Sequence, residues 1–285
     1  MKLYYYAFSG HKWGLDRVKR GVALIKSLKK EGVDMQLLVS DFRAGLVAKD
    51  FGVGDSITIE GIMDVDVVAQ NGDIVFLDTP EVDNGRVQMY VKEYKALFNI
   101  VDDDNTKSIF GEHIISPNGD ISSIIIDELY FDILDKEDRT IFFLGDADYN
   151  KTILSEKDFF QNIDMELILG NYFFVKYESD LAKIFKTLHE PEDYQDLIRT
   201  SSTVVTASIQ TALEARACEV KSIYISDGNE SKSILRKLNE YNIIIINGFN
   251  QDDLLLSVKE GKNLYKKVTH SSKEIAIKVK NKLNL

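Results

Sequence analysis

The sequence predicts an α/β protein made of two doubly wound, Rossmann-like domains facing a cleft. Three observations predict it. Short apolar runs alternate with segments of helical period, the alternation restarts after the polar stretch Asp132–Arg139, and 285 residues are enough for two such units. The expected division is an acceptor or substrate domain over 1–136, a ligand-binding domain over 137–270, and a terminal helix over 271–285 packing back across the junction.

In the first half, Leu3–Phe8 reads as a short buried strand, closed by Ser9-Gly10-His11. From Leu15 to Lys30 the period becomes helical: Val18, Val22, Ile25 and Leu28 share one face, with Lys19, Lys26 and Lys30 outside it. Strands follow at Met35–Val39, Ile57–Ile59 and Ile74–Leu77, the last running into Asp78-Thr79-Pro80-Glu81. An amphipathic segment, Val82–Tyr94, leads to a strand at Ala96–Val101, the polar cluster Asp102–Asn105, a strand at His113–Ile115 and the turn Pro117-Asn118-Gly119.

The second half opens with a strand at Thr140–Leu144, ending in Gly145-Asp146-Ala147-Asp148. A strand at Tyr172–Val175 and helices at Glu178–Leu188 and Pro191–Thr200 follow, the second with proline at its start. Strands at Thr203–Thr206, Ser222–Ile225 and Ile243–Ile246 then alternate with helices at Gln210–Ala217, Ser231–Tyr241 and Asp252–Glu260. A basic helix, Ser272–Leu283, ends the chain.

Composition excludes several classes. The net charge of −11 argues against a nucleic-acid binder, whose affinity comes from clustered Lys and Arg, but not against a small anion held at one local site. A lone cysteine, Cys218, cannot form an intrachain disulfide. The chain has no signal-peptide pattern at its start and no apolar stretch long enough to span a membrane, so a soluble cytoplasmic protein is expected. The terminal helix carries an apolar stripe, Ile275, Ala276, Val279 and Leu283, beside Lys273, Lys278, Lys280 and Lys282. That stripe suits either packing on the protein or contact with a membrane surface.

In doubly wound sheets the strand-to-helix loops carry the chemistry. The first, Ser9–Arg17, has Gly10 and Gly14 for close backbone approach, a helix start offering N–H groups to an anion, and Arg17 and Lys19 for charge. It also reads as a plain connection with Asp16 capping the helix. No G-x-G-x-x-G or P-loop pattern occurs.

The run Thr206-Ala207-Ser208-Ile209-Gln210-Thr211-Ala212 takes a β-branched strand through small residues into a helix, aiming backbone N–H groups at a phosphate. Glu214, one turn in, can accept from a ribose diol, or can close a capping box with Thr211. Gly145 and Asp148 lie in the loop after the first strand of the second half, where Asp146 or Asp148 can act as a base or form the turn. His113 and His189 lack metal-ligand spacing, and Asp102–Asp104 reads as a solvated turn, so no metal site is expected.

The order of these motifs resembles the UDP-sugar hydrolase of pseudaminic acid biosynthesis and the spore-coat polysaccharide proteins, relatives of the GT-B glycosyltransferases. Gly14-Leu15-Asp16-Arg17-Val18-Lys19-Arg20 falls in register with that family's Gly-x-Gly-His-x-x-Arg element, and Asp78-Thr79-Pro80-Glu81 and Asp102–Asp104 match its acidic loops. Gly145-Asp146-Ala147-Asp148 matches its Gly-Gly-x-Asp, while Thr206-Ala207-Ser208 and Leu213-Glu214-Ala215 match its Ser-Ala-Ser and Asn-Glu-Ala runs. The family's histidine corresponds to Arg17, the glycine before it to Asp16 and the second glycine of its pair to Asp146.

The resemblance implies a GT-B-like fold with a UDP-sugar bound through Gly14, Lys19, Gly145, Ser208, Gln210, Thr211 and Glu214. It implies cleavage of the sugar–phosphate bond by transfer to a sugar or protein acceptor or by hydrolysis, without a metal or other cofactor, in surface or flagellar glycan synthesis. Arg17 cannot replace the histidine as a base, because a guanidinium stays protonated, but it can stabilise a departing diphosphate. The candidate bases are then His11 and Asp148. The alternative is a non-catalytic relative that binds a nucleotide-sugar as a scaffold or sensor.

Overall fold

The structure, a computed structural model, describes residues 1–259, 268–269 and 271–285. The chain divides into two compact units. One comprises Met1–Gly10, Arg17–Glu128 and 271–285, and the other His11–Asp16 with the described residues of 129–269.

The first unit contains six parallel strands: β1 (Leu3–Ala7), β2 (Met35–Val39), β3 (Ser56–Thr58), β4 (Ile74–Asp78), β5 (Ala96–Ile100) and β6 (His113–Ile115). Their order is β3-β2-β1-β4-β5-β6. Helices α1 (Asp16–Lys30), α2 (Phe42–Asp50), α3 (Val65–Val68) and α4 (Asn84–Glu93) lie in the connections. β1 and β4 are buried along their whole length, which is why they read as continuous apolar runs rather than alternating ones.

The second unit repeats the plan with β7 (Glu137–Phe143), β8 (Glu166–Ile168), β9 (Leu188–His189), β10 (Ser201–Thr206), β11 (Lys221–Ser226) and β12 (Ile244–Asn247). Their order is β12-β11-β10-β7-β8-β9, again all parallel. The helices are α5 (Thr152–Ser155), α6 (Val175–Leu181), α7 (Tyr194–Thr200), α8 (Ile209–Ala217), α9 (Lys232–Glu240) and α10 (Gln251–Lys259). Counted from its own first strand, each sheet has the order 3-2-1-4-5-6, the Rossmann arrangement. The crossovers reverse direction between β1 and β4, and between β7 and β10. At those switch points the loops at the carboxyl ends of the strands diverge and leave a crevice.

A final helix, α11 (Ser272–Leu283), belongs to the first unit. Ser271 caps it, the Ser272 N–H donates to the Ile126 carbonyl at 2.7 Å, and Ser27 donates to the Ser272 hydroxyl at 2.7 Å. Lys280 reaches the Glu31 carbonyl at 2.7 Å. The stripe Ile275, Ala276, Val279 and Leu283 is buried, so the packing role uses the face that a membrane surface would need.

Several expectations are corrected. Lys19 lies buried rather than outside the α1 apolar face, because α1 is covered on more than one side, with Gly21, Ala23, Leu24 and Ser27 also buried. Residues 172–175 form no strand: Phe174 and Val175 are exposed, α6 starts at Val175, and the strand beside β7 is Glu166–Ile168. The helix expected over Glu178–Leu188 ends at Leu181, and Leu188 pairs in β9. Pro191 opens a 3₁₀ turn ahead of α7 rather than the α-helix itself. α2 was not anticipated. Glu260, the expected last residue of α10, and residue 270, the expected end of the second domain, lie outside the described residues.

Candidate functional site

In the second unit the switch-point crevice is bordered by the loop after β7, starting at Gly145, and by the loop from β10 into α8. Gly145 has φ +145°, a conformation that L side chains rarely adopt. A Cβ on Gly170 would lie 2.6 Å from the Gly145 carbonyl oxygen and 2.7 Å from that of Asp146, so the turn after β8 packs directly on the Gly145 loop. Asn171 donates to Asp146 Oδ1 at 2.7 Å, and the Tyr172 N–H to the Asp146 carbonyl at 2.9 Å. Asp148 accepts from the N–H groups of Thr152 (2.6 Å) and Ile153 (3.1 Å) and from the Tyr177 hydroxyl. Its carboxylate therefore holds the start of α5, the turn-forming reading of this aspartate.

Across the crevice, Ser208 caps α8. Its Oγ accepts from the Thr211 N–H at 3.0 Å, and the Ala212 N–H donates to the Ser208 carbonyl at 3.0 Å. The cap is thus Ser208, and Thr211 and Glu214 do not form a capping box. Glu214 lies inside the helix, 2% exposed, with Oε1 accepting from Gln210 Nε2 at 2.9 Å and Oε2 from the Tyr194 hydroxyl at 2.6 Å. Burial, reinforced by the Glu214 charge, pushes the Tyr194 phenol well above the ordinary tyrosine range, which fixes it as the donor. Tyr194 also lies 2.8 Å from Thr211 Oγ1, so one buried network joins the first two turns of α8.

The amino end of α8 is occupied. Ser208 Oγ lies 2.8 Å and 2.9 Å from the two carboxylate oxygens of Asp16, and the Gln210 N–H donates to Oδ2 at 3.4 Å. Asp16 arrives with the segment His11–Asp16. In that segment the His11 ring lies 4.7 Å from Tyr172 and stacks 5.9 Å from Phe174, and Lys12 Nζ sits 4.6 Å over the Tyr149 ring. Gly14, at φ +68°, passes within 3.9 Å of the Asp146 N–H, measured from where its Cβ would be. His11, Gly14, Gly145, Asp148, Ser208, Gln210, Thr211 and Glu214 therefore all belong to the second unit.

Arg17 and Lys19 belong to the first. At its switch point a buried ion cluster fills the carboxyl ends of β4 and β5. Arg20 grips Asp78 with Nε (3.1 Å) and Nη2 (2.8 Å) and reaches Asp102 with Nη1 at 2.9 Å. Tyr5 donates to Asp78 Oδ2 at 2.7 Å, and Arg17 Nε lies 3.6 Å from Oδ1. Burial pushes the Asp78 carboxyl up against the pull of Arg20 and Arg17. Asp102 is only half-buried, and the charge and hydrogen bond of Arg20 outweigh its partial loss of water and hold its carboxyl low. Arg20 and Tyr5 were missed as partners of Asp78; the signal was a guanidinium one helical turn beyond Arg17, facing the same strand ends.

Glu81 is likewise committed locally, accepting from Tyr6, Thr79 and the Ile62 N–H. Asp103 and Asp104 hold Asn105 and Asn118, as turn residues do. Among the described residues no group of three or more His, Cys, Asp or Glu is placed to hold a metal ion, and no helix is long and apolar enough to cross a membrane.

No protein-family model matches the chain, and no curated protein matches it significantly in sequence. Solved structures match it over nearly its whole length. The Methanocaldococcus jannaschii UDP-GlcNAc 2-epimerase in complex with UDP-GlcNAc and UDP superposes with TM-score 0.61 at 12% identity, covering 99% of this chain and 100% of that one. The Staphylococcus aureus MnaA–UDP co-structure gives 0.61 at 14%, covering 100% and 98%. A glycosyltransferase from Rickettsia africae gives 0.57 at 10%, covering 98% and 94%.

The fold is GT-B. In this chain the second Rossmann sheet places the Ser208 loop and the Gly145 loop on the two sides of its own switch point, the position at which open α/β sheets take ligands.

Proposed function

We propose that this GT-B protein is a nucleotide-sugar enzyme that binds a UDP-sugar at the switch point of its second unit. The observation that carries the reading is the amino end of α8: a capping serine, a backbone N–H and a helix dipole already hold a carboxylate there. The same donors suit a diphosphate. Ser208, Gln210 and Thr211 then take the pyrophosphate, and Glu214, braced by Tyr194, takes the ribose hydroxyls. Two of the solved structures of similar fold are complexes with UDP or UDP-GlcNAc, which supports uridine as the nucleoside.

The reaction is cleavage of the sugar–phosphate bond, by glycosyl transfer or hydrolysis. The first unit serves as the acceptor side, the α8 dipole meets leaving-group charge, and no metal takes part. His11, on its bed of Tyr172 and Phe174, is the base. Asp148 ranks behind it because both its oxygens already hold α5 and Tyr177. The resemblance noted above supports a place in surface or flagellar glycan synthesis.

UDP release from a panel of UDP-sugars, with and without acceptors, tests this reading. Release abolished in His11→Ala is expected, and release unchanged in His11→Ala removes the base assignment. A second reading, a binder without turnover, is favoured by Asp16 seated at the anion position. It predicts UDP binding with no release from any sugar.

A further inference from the structure

We infer that the chain carries its own competitor for the diphosphate site: the Asp16 carboxylate is an intramolecular stand-in for phosphate, and the segment His11–Asp16 is an autoinhibitory strap over the amino end of α8. The inference rests on the UDP reading above and adds a regulation to that site.

Ser208 and Gln210, 5% and 3% exposed, are the donors that an incoming phosphate would need, and both are turned on Asp16, at 2.8 Å and 2.9 Å from the serine hydroxyl and 3.4 Å from the backbone N–H. A carboxylate and a phosphate cannot share those donors, and two anions at one helix terminus repel each other. Nucleotide binding therefore requires Asp16 to leave.

Within the strap only Leu15 is fully buried; the other five residues are exposed or half-buried. Gly14, two residues before Asp16, has φ +68°, a backbone state open to glycine. Ahead of it His11, Lys12 and Trp13 are exposed; the His11 ring rests on the buried Tyr172 and the exposed Phe174, and Lys12 lies over the exposed Tyr149 ring. Apparent affinity for a diphosphate is then reduced by the fraction of molecules in which the strap is closed, and a neutral side chain at position 16 removes that reduction.

The test measures binding of UDP and of inorganic pyrophosphate by calorimetry to the full chain and to Asp16→Asn, with Asp16→Ser as a second variant whose hydroxyl keeps a hydrogen bond to Ser208. Far-UV circular dichroism selects the folded variant. Trp13, the sole tryptophan, lies three residues from Asp16 and is half-exposed, so its fluorescence reports strap movement. Both ligands are expected to bind the variant at least about tenfold more tightly, with Trp13 emission shifting on binding to the natural chain. Equal UDP affinity in the natural chain and the variant overturns the strap and leaves the nucleotide reading standing. Tighter pyrophosphate binding by the variant, with no UDP bound by either protein, keeps the strap and overturns the nucleotide reading. No binding of either ligand to either protein overturns both.

Discussion

Replacing Arg20 by methionine keeps most of the side-chain stem and deletes the guanidinium. Asp78 is 1% exposed, and three of its hydrogen bonds, at 2.7–3.1 Å, come from Arg20 and Tyr5. Two of the three are lost in the variant. Breaking one partner of a buried ion pair costs about 3–5 kcal/mol, because the remaining charge is left in a low-dielectric site. Tyr5 stays at 2.7 Å and Arg17 Nε at 3.6 Å, so the lower end, about 3 kcal/mol, applies. Asp102, 45% exposed, recovers water and adds little. Urea unfolding followed by circular dichroism measures the loss. Arg20→Met/Asp78→Asn, with no uncompensated charge, is expected to recover most of it. An Arg20→Met protein within about 0.5 kcal/mol of the natural chain, well inside the scatter of ordinary surface substitutions, would refute the reasoning.

Three further outcomes follow from the same structure. Gly170→Ala forces a Cβ against two carbonyl oxygens at 2.6 and 2.7 Å, and is expected to cost about 1–3 kcal/mol in thermal or urea unfolding; an unchanged midpoint contradicts the packing of that turn on the Gly145 loop. At Glu112, burial opposes the charge, but the Ile109 and Phe110 N–H groups and the Ser108 hydroxyl outweigh it and hold the carboxyl below its ordinary value. A carboxylate lowered on folding contributes stability that is full above the unfolded value of roughly 4.3 and is lost as pH falls through the lower folded one, so Glu112→Gln should flatten the acid limb of a stability–pH curve. Burial pushes the Cys218 thiol up to about 12, so iodoacetamide at pH 8 should label it only after unfolding.

Most of the sheet architecture is legible in the sequence because its central strands are buried on both faces. β1 and β4 carry apolar runs, β10 the β-branched run Thr203–Thr206 and β11 the apolar run Ile223–Ile225. β8 was not legible: three residues, Glu166–Ile168, give no period, whereas Tyr172–Val175 has strand composition but follows the Gly170 turn and leaves Phe174 exposed. Composition measures what a segment can pack, not which neighbour reaches it first. The turn of β10 into α8 was legible, since a β-branched run passes through small residues into a helix. The bracing of Glu214 was not, because its partner Tyr194 is 20 positions away in sequence. Asp16 at Ser208 is separated by 192 positions, and no local pattern encodes that meeting.

A crystal structure with UDP tests the central claim most directly. The diphosphate is expected at the amino end of α8 on Ser208 and Gln210, the ribose at Glu214, and Asp16 withdrawn. UDP bound away from α8, or no UDP in crystals soaked at saturating concentration with Asp16 still on Ser208 and also none in Asp16→Asn crystals, would contradict it.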